Sequence, residues 1–172
     1  TSNGNKLQIK QTLKYAKALA TAQRAKNKQR VKAIHAKIKH TRQDLIHKFT
    51  TQLVKDNALI VVGDVRTTQF NSKKGKLAKS VYDAGWFELK RQLTYKCENA
   101  GCRFEIVSER YTTQTCSCCG EISANSPKGR AGLRIRGWTC ASCGTWHDRD
   151  INASRNILAV GLDRLGAGIP ER

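Results

Sequence analysis

The sequence predicts an α/β fold with long basic helices and a late insertion built on cysteine pairs. Three observations carry this. Residues 58–109 read as strand, helix, strand. Residues 10–54 contain no Pro or Gly and repeat apolar side chains at helical spacing. Two Cys-x-x-Cys pairs, Cys116/Cys119 and Cys140/Cys143, stand with twenty residues between them.

In chain order, residues 1–9 (TSNGNKLQI) read as a turn and a short strand, because Asn-Gly accepts the positive φ of a tight turn. Across 10–54, Val31, Ile34, Ile38, Leu45, Phe49 and Leu53 mark an apolar stripe. The spacing predicts one long helix or a helical hairpin broken near Asn27. Residues 58–65 (ALIVVGDV) form a continuous apolar run ended by Gly-Asp, the pattern of a strand buried on both faces. A Lys-rich loop occupies 66–76. Helical period returns over 77–99 through Leu77, Val81, Trp86, Leu89 and Leu93, and Gly101 supplies the stop. Residues 103–109 (RFEIVSE) are the second strand. Strands joined through a helix should run parallel, with their C-terminal ends on one edge of the sheet. Residues 110–149 are the Cys-, Gly- and Thr-rich insertion. A helix follows from about Ile151 to Val160, and the tail GLDRLGAGIPER reads as irregular.

Lys and Arg number 32 against 13 Asp and Glu, a formal net charge of +19. That excess fits a polyanionic partner and argues against a neutral-ligand surface. Asp44 is the one acid in 10–54, where ordinary exposed helices mix signs, so this stretch reads as a phosphate-tracking surface. Basic membrane-surface proteins share such a charge, but no amphipathic helix with a Trp/Phe face is present. No apolar run nears the roughly 20 residues of a membrane span, and no signal peptide is visible.

Seven cysteines is an odd number, and four lie in the two pairs, which favours metal over disulfides and a reducing, cytoplasmic compartment. Four thiolates on two knuckles make a closed tetrahedral zinc site of the structural kind, with Cys116, Cys119, Cys140 and Cys143 as ligands. Gly120 and Gly144 follow the pairs and permit the tight knuckle turn. Cys118 lies inside the first knuckle and competes with Cys116, whose spacing to Cys119 is better. His147 is a ligand type close by, but four cysteines fill the site. Cys97 and Cys102 read as buried or idle thiols. A module this small has little core, so zinc should supply its folding energy. Between the pairs, SPKGRAGLRIRGW offers Lys128, Arg130, Arg134 and Arg136 for phosphate contacts.

Two-metal phosphodiester hydrolysis needs carboxylates converging from different elements. Asp148 and Asp150 follow the second pair at a helix start, where an Asp can also serve as N-cap. Here TCSCCG (115–120), WTCASCG (138–144), HDRDINASRNIL (147–158) and KLAKSVYDAGWFELKRQLTYKCENAG (76–101) resemble, in the same order, the C-terminal half of TnpB proteins. These are transposon-encoded RNA-guided DNA endonucleases related to type V CRISPR effectors and Fanzor proteins. The resemblance implies a partial RuvC-like domain of RNase H fold with the zinc ribbon inserted before its last helix. Residues 1–109 would be the partial RuvC-like domain with its basic hairpin (10–54), 110–149 the target nucleic-acid-binding ribbon, and 150–172 the last helix and tail. It also implies Mg2+ as catalytic metal, target and non-target DNA strands as partners, guide RNA through the intact protein, and a nucleoid location if prokaryotic. Asp150 would be the third RuvC acid, since the family's Asp precedes the Asn of D-x-N; Asp148 fits less well.

Two departures qualify this. The family's second acid is a Glu near the end of the strand that here reads IVVGDV, and Gly63 stands in its place. Adjacent Asp64 should point to the opposite face. One reading is a nuclease-inactive, RNA-guided DNA-binding repressor. The other is the rearrangement of Fanzor-like and some TnpB-like proteins: Glu109, ending the neighbouring parallel strand, reaches the same metal, and ERYTTQTC resembles that pattern. Glu109 is the favoured second acid, with an ordinary surface Glu as the alternative. The family's first acid lies on a strand upstream of a hairpin resembling TSNGNKLQI. With no upstream residues and no Met, the chain reads as a C-terminal fragment, inactive alone. A free-standing zinc-ribbon nucleic-acid-binding module is a third reading, disfavoured by the carboxylates and helix after the ribbon.

Overall fold

The computed structural model describes residues 1–4, 7, 11–64 and 85–166, without the side chains of 11–13 and 130. It divides into two compact units. The expected strand in 5–9 apart from Leu7, the loop at 66–76, the helix start at Leu77 and Val81 and the last six residues lie outside the described residues.

One unit is helical. Helix α1 (Gln11–Arg24) and helix α2 (Lys28–Asp56) form the expected hairpin. The break comes where expected: Lys26 takes a φ of 52°, and the Asn27 side chain caps α2 by accepting the Arg30 N–H at 2.9 Å. The turn brings Tyr15, Leu19 and Ala22 against Val31, Ile34 and Ile38. Lys37 Nζ lies 5.7 Å from the Tyr15 ring centroid, so the start of α1 sits beside the middle of α2, as an antiparallel pair requires. Helix α3 (Trp86–Ala100) packs on α2. Ile46, Leu93 and Cys97 are buried there, and burial first of all pushes the Cys97 thiol up to about 12, an inert thiol as expected. A polar network crosses the same surface. Gln92 Nε2 donates to Glu88 at 2.7 Å, and Lys96 Nζ donates to His47 O at 2.8 Å and Thr50 Oγ1 at 2.7 Å. Gly101, at φ 67°, ends α3 by donating its N–H to Cys97 and Glu98 carbonyls.

The other unit is α/β. Strands β1 (Leu59–Gly63) and β2 (Arg103–Val107) pair. Arg103 N–H bonds Ala58 O at their starts and Asp64 N–H bonds Val107 O past their ends, so they run parallel, as predicted. Strand β2 stops short of Glu109 because Thr112 turns back, its N–H and hydroxyl both bonding Glu109 O. A one-turn helix, α4 (Gly129–Gly132), precedes the antiparallel hairpin of β3 (Gly137–Thr139) and β4 (Trp146–Asp148), in which Trp138 faces His147.

Helix α5 (Arg149–Arg164) lies on β1 and corrects the sequence reading. It runs on through Gly161 to Arg164, where an irregular tail was expected. A Cβ on Gly161 would lie 2.4 Å and 2.6 Å from the two Val61 methyls. The glycine therefore serves close helix–strand approach and is not a stop signal. Among the described residues, no helix is long and apolar enough to cross a membrane.

Candidate metal centre and neighbouring carboxylates

The two knuckles are built alike. Cys116 O accepts from Gly120 N–H and Cys140 O from Gly144 N–H, each at 2.9 Å, and each first cysteine donates its N–H to the carbonyl five residues on. The glycines take φ of 79° and 73°, conformations a side chain would strain. The result is convergence: the four Sγ atoms lie within 4.8 Å of one another, with Cys116–Cys143 at 3.7 Å and Cys119–Cys140 at 3.8 Å. Cys116 and Cys140 are buried behind Trp138, while Cys118 is exposed and outside the cluster.

The thiols titrate apart. The Cys143 N–H leads the groups that hold Cys140 down at about 6, and the Thr145 hydroxyl lowers Cys143. Burial raises Cys116. The Glu121 backbone lowers Cys119, but burial and the neighbouring thiols outweigh it and push it up to about 12. Four thiolates this close need a cation among them, and the donor set suits a metal ion. His147 stands beside the cluster, not in it: Nε2 is 3.0 Å from Cys116 Sγ and the ring packs on Trp138 at 5.0 Å. Burial first, then the Arg155 charge, lowers its pKa, so a neutral ring can donate Nε2–H to the sulfur and steady the ligand.

The two aspartates divide their tasks. Asp148 is the N-cap of α5, its Oδ1 accepting the Asp150 N–H at 2.9 Å and the Ile151 N–H at 3.0 Å. The capping role considered for Asp150 thus belongs to its neighbour. Asp150 keeps a half-exposed carboxylate, 3.6 Å from Arg136 Nη1 and 3.7 Å from Arg149 Nε.

Gly63, at the end of β1, is buried, and Asp64 is exposed, as alternation requires. A Cβ built on Gly63 would lie 2.9 Å from Glu109 Oε2, 3.2 Å from Glu109 Cβ and 3.2 Å from Ile157 Cδ1. The Glu109 side chain therefore lies across the volume that a side chain at 63 would take.

Two residues without an assigned role complete the site. Asn152, 1% exposed, accepts the Ser117 N–H at 2.9 Å and donates to Thr112 O at 3.2 Å and Thr115 O at 2.7 Å. Asn156, one turn on, donates to the same carbonyls at 2.8 Å and 2.7 Å. The available signal was the pair itself: two asparagines at i and i+4 inside a helix, where amides compete with the backbone unless they have partners elsewhere.

The family profile "Cas12f1-like, TNB domain" matches residues 86–157. A Streptomyces pristinaespiralis protein named "Putative RNA-guided DNA endonuclease" is 39% identical over 88% of this chain and 36% of its own length. The Escherichia coli K12 protein named "Putative RNA-guided DNA endonuclease InsQ" is 31% identical over 83% of this chain and 38% of its own. An Acanthamoeba polyphaga mimivirus protein named "TnpB-like protein L79" is 28% identical over 90% of this chain and 29% of its own. The chain belongs to the TnpB family. A solved Cas12f1–sgRNA–target DNA complex has the same fold over 86% of this chain and 41% of the Cas12f1 chain, at a TM-score of 0.63 and 16% identity. The chain spans a little over a third of the length of the first two relatives.

In this TnpB-family chain, Lys128, Arg134 and Arg136 are exposed on the stretch between the cysteine pairs; the Arg130 side chain lies outside the described residues. No acid interrupts the sequence from Ile122 to His147. Arg149 Nη1 donates to Gly132 O at 2.9 Å and Arg149 N–H to Arg136 O at 2.8 Å, which ties this basic stretch to the start of α5 beside Asp150.

Proposed function

We propose that this chain is the RuvC-like catalytic part, with its zinc ribbon, of an RNA-guided DNA endonuclease that hydrolyses phosphodiesters of target DNA. The observation that carries the reading is Glu109 lying in the volume Gly63 leaves empty. The family's usual acid is missing at 63, and a carboxylate from the turn just after the neighbouring parallel strand fills the same place. Gly63 was the main support for a nuclease-inactive repressor, and that support weakens once the space is seen to hold an acid.

Zinc fits the four cysteines. Zn–S bonds of about 2.3 Å in a tetrahedron put sulfurs about 3.8 Å apart, against 3.7 Å and 3.8 Å for the two measured pairs. Residues 110–149 would then be the target nucleic-acid-binding insertion, with Lys128, Arg130, Arg134 and Arg136 on phosphates.

Glu109 and Asp150 would supply carboxylates for Mg2+, together with an acid contributed by an upstream strand of the longer protein. When bound, the metal orients the scissile phosphate and makes the attacking water more acidic. Arg136, now beside Asp150, would turn to a phosphate once the carboxylate is engaged, placing substrate charge next to the acid. Guide RNA would be held through the longer protein, and the basic α1–α2 hairpin would track phosphates. The test uses a guide-loaded protein carrying this chain with the upstream portion its relatives possess. Glu109→Gln and Asp150→Asn should each abolish cleavage while target binding persists. Full cleavage by Glu109→Gln would refute the rearranged site, and an unmutated protein that binds but never cuts would favour the repressor.

A further inference from the structure

We infer that Asn152 and Asn156 are positioning residues that link occupancy of the four-cysteine centre to the placement of Glu109. The inference rests on the reading of Glu109 as a metal ligand, but the clamp itself is tested without it. Residues 109–117 join the two sites directly, with Glu109 at one end and the Cys116 knuckle at the other. The segment is a tight turn: Thr112 bonds back to Glu109 O, Gln114 and Thr115 N–H bond Tyr111 O at 2.8 Å and 2.9 Å, and Tyr111 takes a φ of 64°.

These bonds are internal to the turn and do not tie it to α5. The two asparagines do. Their two NH2 groups offer four protons, and the Thr112 and Thr115 carbonyls offer four lone pairs; all four bonds are made, at 2.7–3.2 Å. The Asn152 Oδ1 takes Ser117 N–H, inside the first knuckle, at 2.9 Å. One buried side chain therefore grips both the knuckle and the turn that begins at Glu109. Its helix also carries Asp150 two residues earlier, so α5 sets both acids of the proposed site in one frame. Metal in the knuckle holds Ser117, Ser117 holds Asn152 in its rotamer, and Asn152 with Asn156 holds the turn. A merely local role, stabilising α5, would not couple the two ends.

The test is hydrogen exchange on the 172-residue chain. In the zinc-loaded Asn156→Ala variant, protection of the Thr112, Gln114 and Thr115 amides should fall by about tenfold or more, as expected for losing two buried bonds. The knuckle amides of Gly120 and Gly144 should stay protected, because Asn152 remains. A second arm needs no variant: chelating zinc from the parent should deprotect the same three amides while the α1–α2 hairpin is unchanged. Unchanged protection at Thr112 and Thr115 in either arm would overturn the clamp. Mn2+ added to the zinc-loaded parent should broaden the amide signals of Glu109 and Asp150, and less so in Asn156→Ala. No broadening in the parent would sink the reading of Glu109 as a ligand, and the exchange arms would still decide the clamp.

Discussion

Gly63→Ala separates stability from function at the proposed site. The new Cβ would meet Glu109 Oε2 at 2.9 Å and Glu109 Cβ and Ile157 Cδ1 at 3.2 Å. Ordinary contacts lie near 3.5 Å, so the carboxylate must retreat by about 0.5 Å or more. The oxygen is the far end of a flexible side chain, and the cost of moving it falls at the low end of the roughly 1–3 kcal/mol seen for overpacking. Replacing glycine where φ is negative returns about 0.4–1 kcal/mol by restricting the unfolded chain. Net stability should therefore change by no more than about 1 kcal/mol, read as the urea midpoint of the 172-residue chain. Cleavage is less forgiving, since a misplacement of about 1 Å can cost on the order of 100-fold. The assay is the rate of target cutting by the guide-loaded longer protein. A variant that cuts within about threefold of the parent would refute the argument, as would one that loses activity only because it unfolds. The converse follows: Gly63→Glu with Glu109→Ala puts the acid back on β1 and should recover cutting that each single change destroys.

Gly161→Ala should destabilise the α/β unit by roughly 1–2 kcal/mol, because the Val61 branch cannot yield as a flexible chain can and the clash outweighs the helix propensity gained; adding Val61→Ala should restore the urea midpoint, and an unshifted midpoint in the single variant would count against the close approach. Metal analysis should find one zinc per chain, kept in Cys118→Ser and lost in Cys116→Ser; retention in the latter would reassign the ligand. Affinity for single-stranded DNA should fall steeply with salt, and Arg134→Ala should flatten the log–log slope by about 0.7. Arg91 beside it is the first cause that holds the Glu88 carboxyl down at about 2. A depressed folded pKa gives stability that is full above the ordinary carboxylate range and is lost as pH falls from about 4.5 toward 2. Thermal melts of Glu88→Gln should lack that part of the acid sensitivity.

Much of this was legible because it rests on local chemistry. The cysteine pairs with trailing glycines, the Asn27 break and the Gly101 stop each follow from what a single residue's backbone or ligand atoms can do. The parallel strands followed from the length of their connection. What stayed hidden depends on partners distant in sequence. Gly161 looked like a helix end, and only Val61 across the interface explains it. Asn152 and Asn156 stand in the D-x-N-A-x-x-N stretch, but their partners, the carbonyls of 112 and 115, come to them from about forty positions away. Thr50 and Gln92, likewise, are buried polar residues that bond each other, 42 positions apart across α2 and α3.

Two aspartates follow the second knuckle because the chain asks two different things of carboxylates there. An α-helix that starts directly after a strand leaves N–H groups exposed at its first turn, and Asp148 satisfies two of them, a role worth about 1 kcal/mol. That role uses up its Oδ1 and fixes its rotamer. Asp150 is excused from capping by this and projects from the first turn with about half its side chain exposed. In a chain of net charge +19, a carboxylate left in solvent attracts cationic side chains, and Arg136 and Arg149 are the ones that arrive. Both contacts are long, 3.6 Å and 3.7 Å, and Arg136 is itself largely exposed, so the Arg136 pair is weak and can be exchanged at little cost for a divalent ion. The capped and the exchangeable carboxylate can be told apart by substitution. Asp148→Asn keeps an acceptor for the α5 N–H groups and should change stability little, whereas Asp150→Asn removes charge where the proposed metal needs it and should stop cleavage. If the two variants exchanged these outcomes, the division of labour between them would be wrong.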